Sequence, residues 1–148
     1  MSCTFEHLET PQALADSLAL MRVLRPHLGD PQRYVTQLQR QMRQGYRLLG
    51  AFEQGQLVGL AGYRETENLL YGRFVYVDDL VIEPSLQRGG LGGRLLDAVR
   101  ERARQGGCAH FVLDTGLHMP LAQRFYFRQG LLARGMHFSQ RLQEEGAA

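Results

Sequence analysis

Residues 80–96 read LVIEPSLQRGGLGGRLL. Leu80, Val81 and Ile82 close a run from Arg73 to Ile82 in which Phe74, Val75, Tyr76 and Val77 are also apolar. So few polar positions suit a strand covered on both faces, expected at the centre of its sheet. Glu83-Pro84 stops the strand, and beyond a glycine-rich turn Leu91, Leu95, Leu96, Val99 and Ala103 recur at helical spacing as far as Arg104. A strand that runs through such a turn into a helix makes an anion site. The first amides of the helix have no partner within it, and its dipole adds partial positive charge there. Without Cβ atoms the turn can approach a phosphate closely and take positive φ.

Upstream, Cys3 to Glu9 alternates as a first strand, and Thr10-Pro11 caps a helix expected to reach Arg25 on the apolar stripe Leu14, Leu18, Met21 and Leu24. Asp30-Pro31 opens a second helix through Tyr34, Leu38 and Met42, closed by Gly45. The period then falls to two. Arg47 to Glu53 and Gln56 to Arg64 are strands joined at Gln54-Gly55. Downstream of the long helix come a strand from Ala109 to Thr115, a short helix from Pro120 to Gln129, and a last strand from Leu131 to Leu142. The order β-α-α-β-β-β-α-β-α-β predicts an α/β domain whose mixed, mostly antiparallel sheet has about six strands flanked by about four helices.

The 148 residues suit one domain, 1–148, with 44% hydrophobic and 22% charged residues. No apolar run approaches the roughly 20 residues of a membrane span, and the first ten residues lack the pattern of a secretion signal, so a cytoplasmic protein is expected. Cys3 and Cys108 make no disulfide framework, and no Cys or His pair has zinc-site spacing, so no metal is expected. All 17 basic residues are Arg, interspersed with 15 acids for a net charge of +2. That balance argues against nucleic acid as a partner, because dedicated binders concentrate positive charge on one face.

Three phosphate-binding patterns compete for the turn. A dinucleotide fingerprint built on Gly90 and Gly92 needs a small residue where Leu95 stands, and a Walker loop needs a Lys, of which the chain has none. The pattern Q-x-x-G-x-G is met by Gln87, Gly90 and Gly92. It resembles the acyl-coenzyme A loop of the GNAT superfamily of N-acetyltransferases. Ala122 to Leu131, AQRFYFRQGL, resembles the same superfamily's A-x-x-F-Y-x-x-x-G-F segment, with Leu131 replacing the aromatic and Met119 standing where many members carry Asn. The resemblance covers most of the chain and is most specific from Tyr76 to Leu131.

The resemblance implies a GNAT-like fold and direct attack of an acceptor amine on acetyl-CoA, the cosubstrate. It assigns the pyrophosphate to the backbone of Gln87, Arg88, Gly89, Gly90, Leu91, Gly92 and Gly93. The pantetheine arm falls to the edge of Leu80, Val81 and Ile82, with Phe125 also at the cofactor. Tyr126 matches the position of the general acid that protonates the departing thiolate. An alkylammonium with pKa about 10.4 is almost wholly protonated at pH 7, a cost of about 4–5 kcal/mol that a base must help to meet. Asp78 is the favoured base and Asp79 the alternative, on the expectation that consecutive strand residues face opposite sides and only one lines the cleft. The acceptor, a small molecule or a peptide amine, is expected against the first two helices and the loop from Asn68 to Tyr71. Monomer and homodimer both fit the sequence, and the alternative function is a noncatalytic acyl-CoA-binding module.

Overall fold

The computed structural model describes residues 2–144 and divides them into a larger unit ending at Leu113 and a smaller one beginning at Asp114. In the larger unit the chain forms β1 (Cys3–His7), α1 (Pro11–Asp16), α2 (Leu18–Leu24), α3 (Pro31–Arg43), β2 (Tyr46–Glu53), β3 (Gln56–Asn68), β4 (Gly72–Ile82), α4 (Leu91–Gln105) and β5 (His110–Leu113). The sheet has the order β1-β2-β3-β4-β5, antiparallel except for the parallel β4–β5 pair.

The punctuation read from the sequence sets these elements. Thr10 caps α1 through its hydroxyl, which accepts from the Ala13 amide at 3.1 Å, and Asp30 caps α3 by accepting from Gln32. The β2–β3 hairpin turns at Gln54 and Gly55, both left-handed with φ of 52° and 77°, the backbone of a type I′ turn. Two cores sandwich the sheet. On one face Leu14, Leu18 and Met21 from α1 and α2 and Leu38 from α3 meet Tyr46, Leu48, Leu60 and Val81. On the other, Leu91, Leu95 and Val99 of α4 meet Leu49, Ala61, Val75 and Val77.

Several expectations are corrected. The single helix from Thr10 to Arg25 is two, interrupted at Ser17, a fully buried residue whose hydroxyl donates back to the Leu14 carbonyl and is also hydrogen-bonded to the Tyr34 hydroxyl. Such back-bonding competes with regular helix hydrogen bonds. With α5, in the smaller unit, the described residues form five helices, close to the expected number of about four. β4 is not central: β3 takes the middle position, and β5 pairs with β4 only from Phe74 to Val77. From Asp78 to Ile82 that edge of β4 therefore has no strand neighbour among the described residues of the larger unit.

The smaller unit holds α5 (Pro120–Arg128), closed at Gly130. The expected strand from Leu131 to Leu142 does not form, and among the described residues the sheet has five strands, close to the expected number of about six. Its alternation is a side-chain pattern, and a strand exists only where a neighbour takes up its backbone groups.

Candidate active site

The site begins with an irregularity in β4. Gly62 of β3 stands opposite Asp79 and Tyr63 opposite Val77, which leaves Asp78 as an extra residue, a β-bulge. Up to Val77 the odd-numbered residues face α4; beyond the bulge Leu80 and Ile82 do, and Val81 joins the opposite core. The bulge thus turns both carboxylates toward the face covered by α1–α3. Asp79 accepts from the Tyr46 hydroxyl at 2.8 Å and from Arg25 Nε at 3.0 Å. Asp78 accepts from Arg64 Nε at 3.0 Å, and that guanidinium lies 5.5 Å over the Tyr46 ring. The expectation that consecutive residues must face opposite ways fails here, because a bulge breaks the two-residue period.

Gly62 makes this arrangement possible. A Cβ at that position would run into the Tyr46 hydroxyl and come within 2.9 Å of Asp79 Oδ2. Tyr46 is fully buried, and burial first, then the Asp79 carboxylate, pushes its phenol well above the ordinary value. It keeps its proton and donates a hydrogen bond to Asp79. Asp78 is also pushed up, chiefly by burial, against the opposing pull of Arg64.

Between α2, α3 and the sheet lies a cavity of about 280 Å³ whose walls include Arg25, His27, Tyr34, Gln37, Gln41 and Asp79. Asp79, not Asp78, is the carboxylate on its wall, and the loop from Asn68 to Tyr71 does not contribute. Tyr34, Gln37, Leu38 and Gln41 fall on one face of α3 by their three- and four-residue spacing. Ser17 fixes the Tyr34 hydroxyl at 2.7 Å. The turn after α2 is braced by Arg22, which donates to the carbonyls of Leu28 and Gly29. Sequence reading missed Arg25, Tyr46, Gly62 and Arg64. The one available signal was a glycine inside a strand, a mark of close approach.

Just beyond the C-terminal end of β4, a few residues past the bulge, the glycine turn has the form expected of an anion cradle. Arg88 and Gly90 are left-handed, with φ of 75° and 82°. Gly90 is the N-cap of α4, no side chain caps it, and a Cβ there would meet nothing within 4 Å. The first amides of this 15-residue helix are open to a ligand. Gln87 ties the turn to the strand by donating to the Ile82 carbonyl at 3.3 Å. The remaining residues expected to act belong to the smaller unit. Phe125 and Tyr126 pack edge to face with centroids 5.2 Å apart, and burial raises the Tyr126 phenol above its ordinary pKa. His137 lies 3.3 Å from Asp114.

The family model described as "Acetyltransferase (GNAT) family" matches residues 14–131, a span that includes parts of both units. The chain belongs to the GNAT family of acetyltransferases. An IAA acetyltransferase of Azospirillum brasilense is 28% identical over 121 residues, 78% of this chain and 76% of that protein. An aminoalkylphosphonate N-acetyltransferase of Salmonella typhimurium is 30% identical over 98 residues, 66% of this chain and 62% of that one. Among solved structures, an acetyltransferase of Trypanosoma brucei superposes with a TM-score of 0.79 at 23% identity, covering 95% of this chain and all of that one, a likeness of fold. This GNAT protein is an acyltransferase, and acetyl transfer is its reaction. No helix among the described residues is long and apolar enough to cross a membrane.

Proposed function

We propose that this acetyltransferase moves the acetyl group of acetyl-CoA to the amino group of a small molecule seated in the cavity between α2, α3 and β4. The observation that carries the reading is the recessed Asp79 carboxylate on the wall of a cavity of about 280 Å³. That volume lies at the small end of ligand sites. The named relative that acts on an aminoalkylphosphonate supports a small acceptor as well.

Each residue has a separate task. The amides of Gln87 through Gly93, with the uncapped start of α4, suit the pyrophosphate of the cosubstrate. The open edge of Leu80, Val81 and Ile82 suits an extended arm paired as an added strand, with Phe125 as an apolar neighbour of the cofactor. When bound, acetyl-CoA supplies an activated thioester. Asp79 attracts the acceptor ammonium and, directly or through water, helps to draw off its proton. Asp78, held by Arg64 and raised by burial, is the second candidate for that base. Tyr126 Oη retains its proton at neutral pH and is the proposed donor to the departing sulfur. The chain from 1 to 148 acts in this reading as one catalytic domain.

Incubation of the purified protein with acetyl-CoA and a panel of small amines, followed by thiol release and mass analysis of products, tests the reading. Acetyl-CoA-dependent formation of an N-acetylated amine is expected, and CoA binding without any product would leave only a binding module. Tyr126→Phe keeps the ring and nearly all its apolar contacts, so folding and CoA affinity are expected to hold while turnover falls by about 10²-fold. Parental turnover in that variant would reject the acid role.

A further inference from the structure

We propose that the acceptor carries its own anionic group, a carboxylate or phosphonate a short spacer from the amine, and that Arg25 is the residue that selects it. The inference rests on the acceptor cavity named above. Arg25 follows the end of α2 and spends Nε on Asp79 Oδ1 and Nη2 on the Asp78 carbonyl, at 3.0 and 2.9 Å. Its Nη1 takes no bond among the described residues. The guanidinium is therefore fixed on one side and carries free donors on the other, at the cavity wall that His27 shares.

Charge and depth give the direction. The Arg25 side chain is 44% exposed and the Asp79 side chain 15%, so the cation stands at the mouth and the carboxylate within. Asp79 spends one oxygen on Tyr46 and the other on Arg25. With about four lone-pair sites, a carboxylate so engaged still has room for an ammonium. On the wall Arg25 balances Asp79, and Arg64 balances Asp78 beside it, so no net negative charge is left with which to gather a polyamine. A zwitterion matches both poles, its ammonium at Asp79 and its anion at Arg25 Nη1 with His27 beside it. With Nε and Nη2 engaged, Nη1 still offers charged N–H donors to either oxyanion.

The test compares three acceptors of matched length: 3-aminopropanoate, its amide, and 1,3-diaminopropane. The acid is expected to show the highest kcat/KM, by about tenfold or more over the amide, the usual worth of one charge-assisted hydrogen bond. Arg25→Gln should abolish that advantage through KM, and Arg25→Lys should restore part of it. Preference of the parent protein for the amide or the diamine, or an acid-to-amide ratio unchanged in Arg25→Gln, would overturn the proposal. Calorimetry with propylphosphonate, which has no amine to acetylate, reads the anion site without turnover. Binding to the parent that is lost in Arg25→Gln supports the assignment, and absence of binding to the parent refutes it. Failure of every amine with the phosphonate still bound would instead count against the acetyl-transfer reading.

Discussion

At the scale of single residues the site depends on a missing side chain. Gly62 leaves room for the Tyr46 ring to pass beneath β3 and donate to Asp79. Gly62→Ala should force one of these groups aside and destabilise the protein by about 1–3 kcal/mol, the usual range for overpacking a filled core. Thermal unfolding reads the loss. Because the displaced group is the partner of Asp79, the same variant should lose activity beyond its loss of stability, which assays well below its unfolding temperature separate. His7 makes a second prediction. Its Nε2 lies 2.7 Å from the Tyr63 hydroxyl, and burial first, then Arg47 and Arg102, holds the imidazole below its ordinary pKa, with Glu9 opposing. The unfolded chain then takes up a proton before the folded one does. Stability is fully present above about pH 6.5 and is lost as pH falls through the folded pKa. In His7→Gln the decline in unfolding temperature between pH 7 and pH 5 should be shallower than in the parent, and an equal decline would show that His7 contributes nothing to it.

At the scale of elements, what the sequence made legible was what local chemistry alone decides. Thr10-Pro11 and Asp30-Pro31 mark helix starts wherever they stand, and the stripe from Leu91 to Ala103 describes α4 to within a residue. The bulge at Asp78 was not legible, because it is a property of the register between two strands, and nothing in FVYVDDLVI says which residue lacks a partner. The split at Ser17 was hidden for a related reason, since the hydroxyl bonds Tyr34, which is distant in sequence. The turn before α4 was legible in its glycines, though not in Arg88, a residue with a Cβ held at φ 75°. Gly90→Val should strain a position at φ 82° and fill the space in front of the first α4 amides. Acetyl-CoA affinity measured by calorimetry is expected to fall strongly in the folded variant, and unchanged affinity would remove the turn from the cofactor site.

At the scale of the whole molecule, the family was legible because two separated motifs, QRGGLG and RFYFRQG, agree with one order of elements, and a match over residues 14–131 bears that out. The acceptor cavity was legible only in outline. Its helices were foreseen, but Arg25, Tyr46 and Asp79 come together from the residue after α2, from β2 and from β4, and share no sequence pattern. The centre of the account is that the β4 bulge sets a carboxylate, Asp79, against the acceptor amine to help remove its proton. The most direct measurement is the pH dependence of kcat/KM for the parent, Asp79→Asn and Asp78→Asn on one acceptor. The account predicts that Asp79→Asn loses most at neutral pH, where free amine is scarce, and recovers part of the difference as pH rises toward the amine pKa. A parental pH profile in folded Asp79→Asn would contradict it.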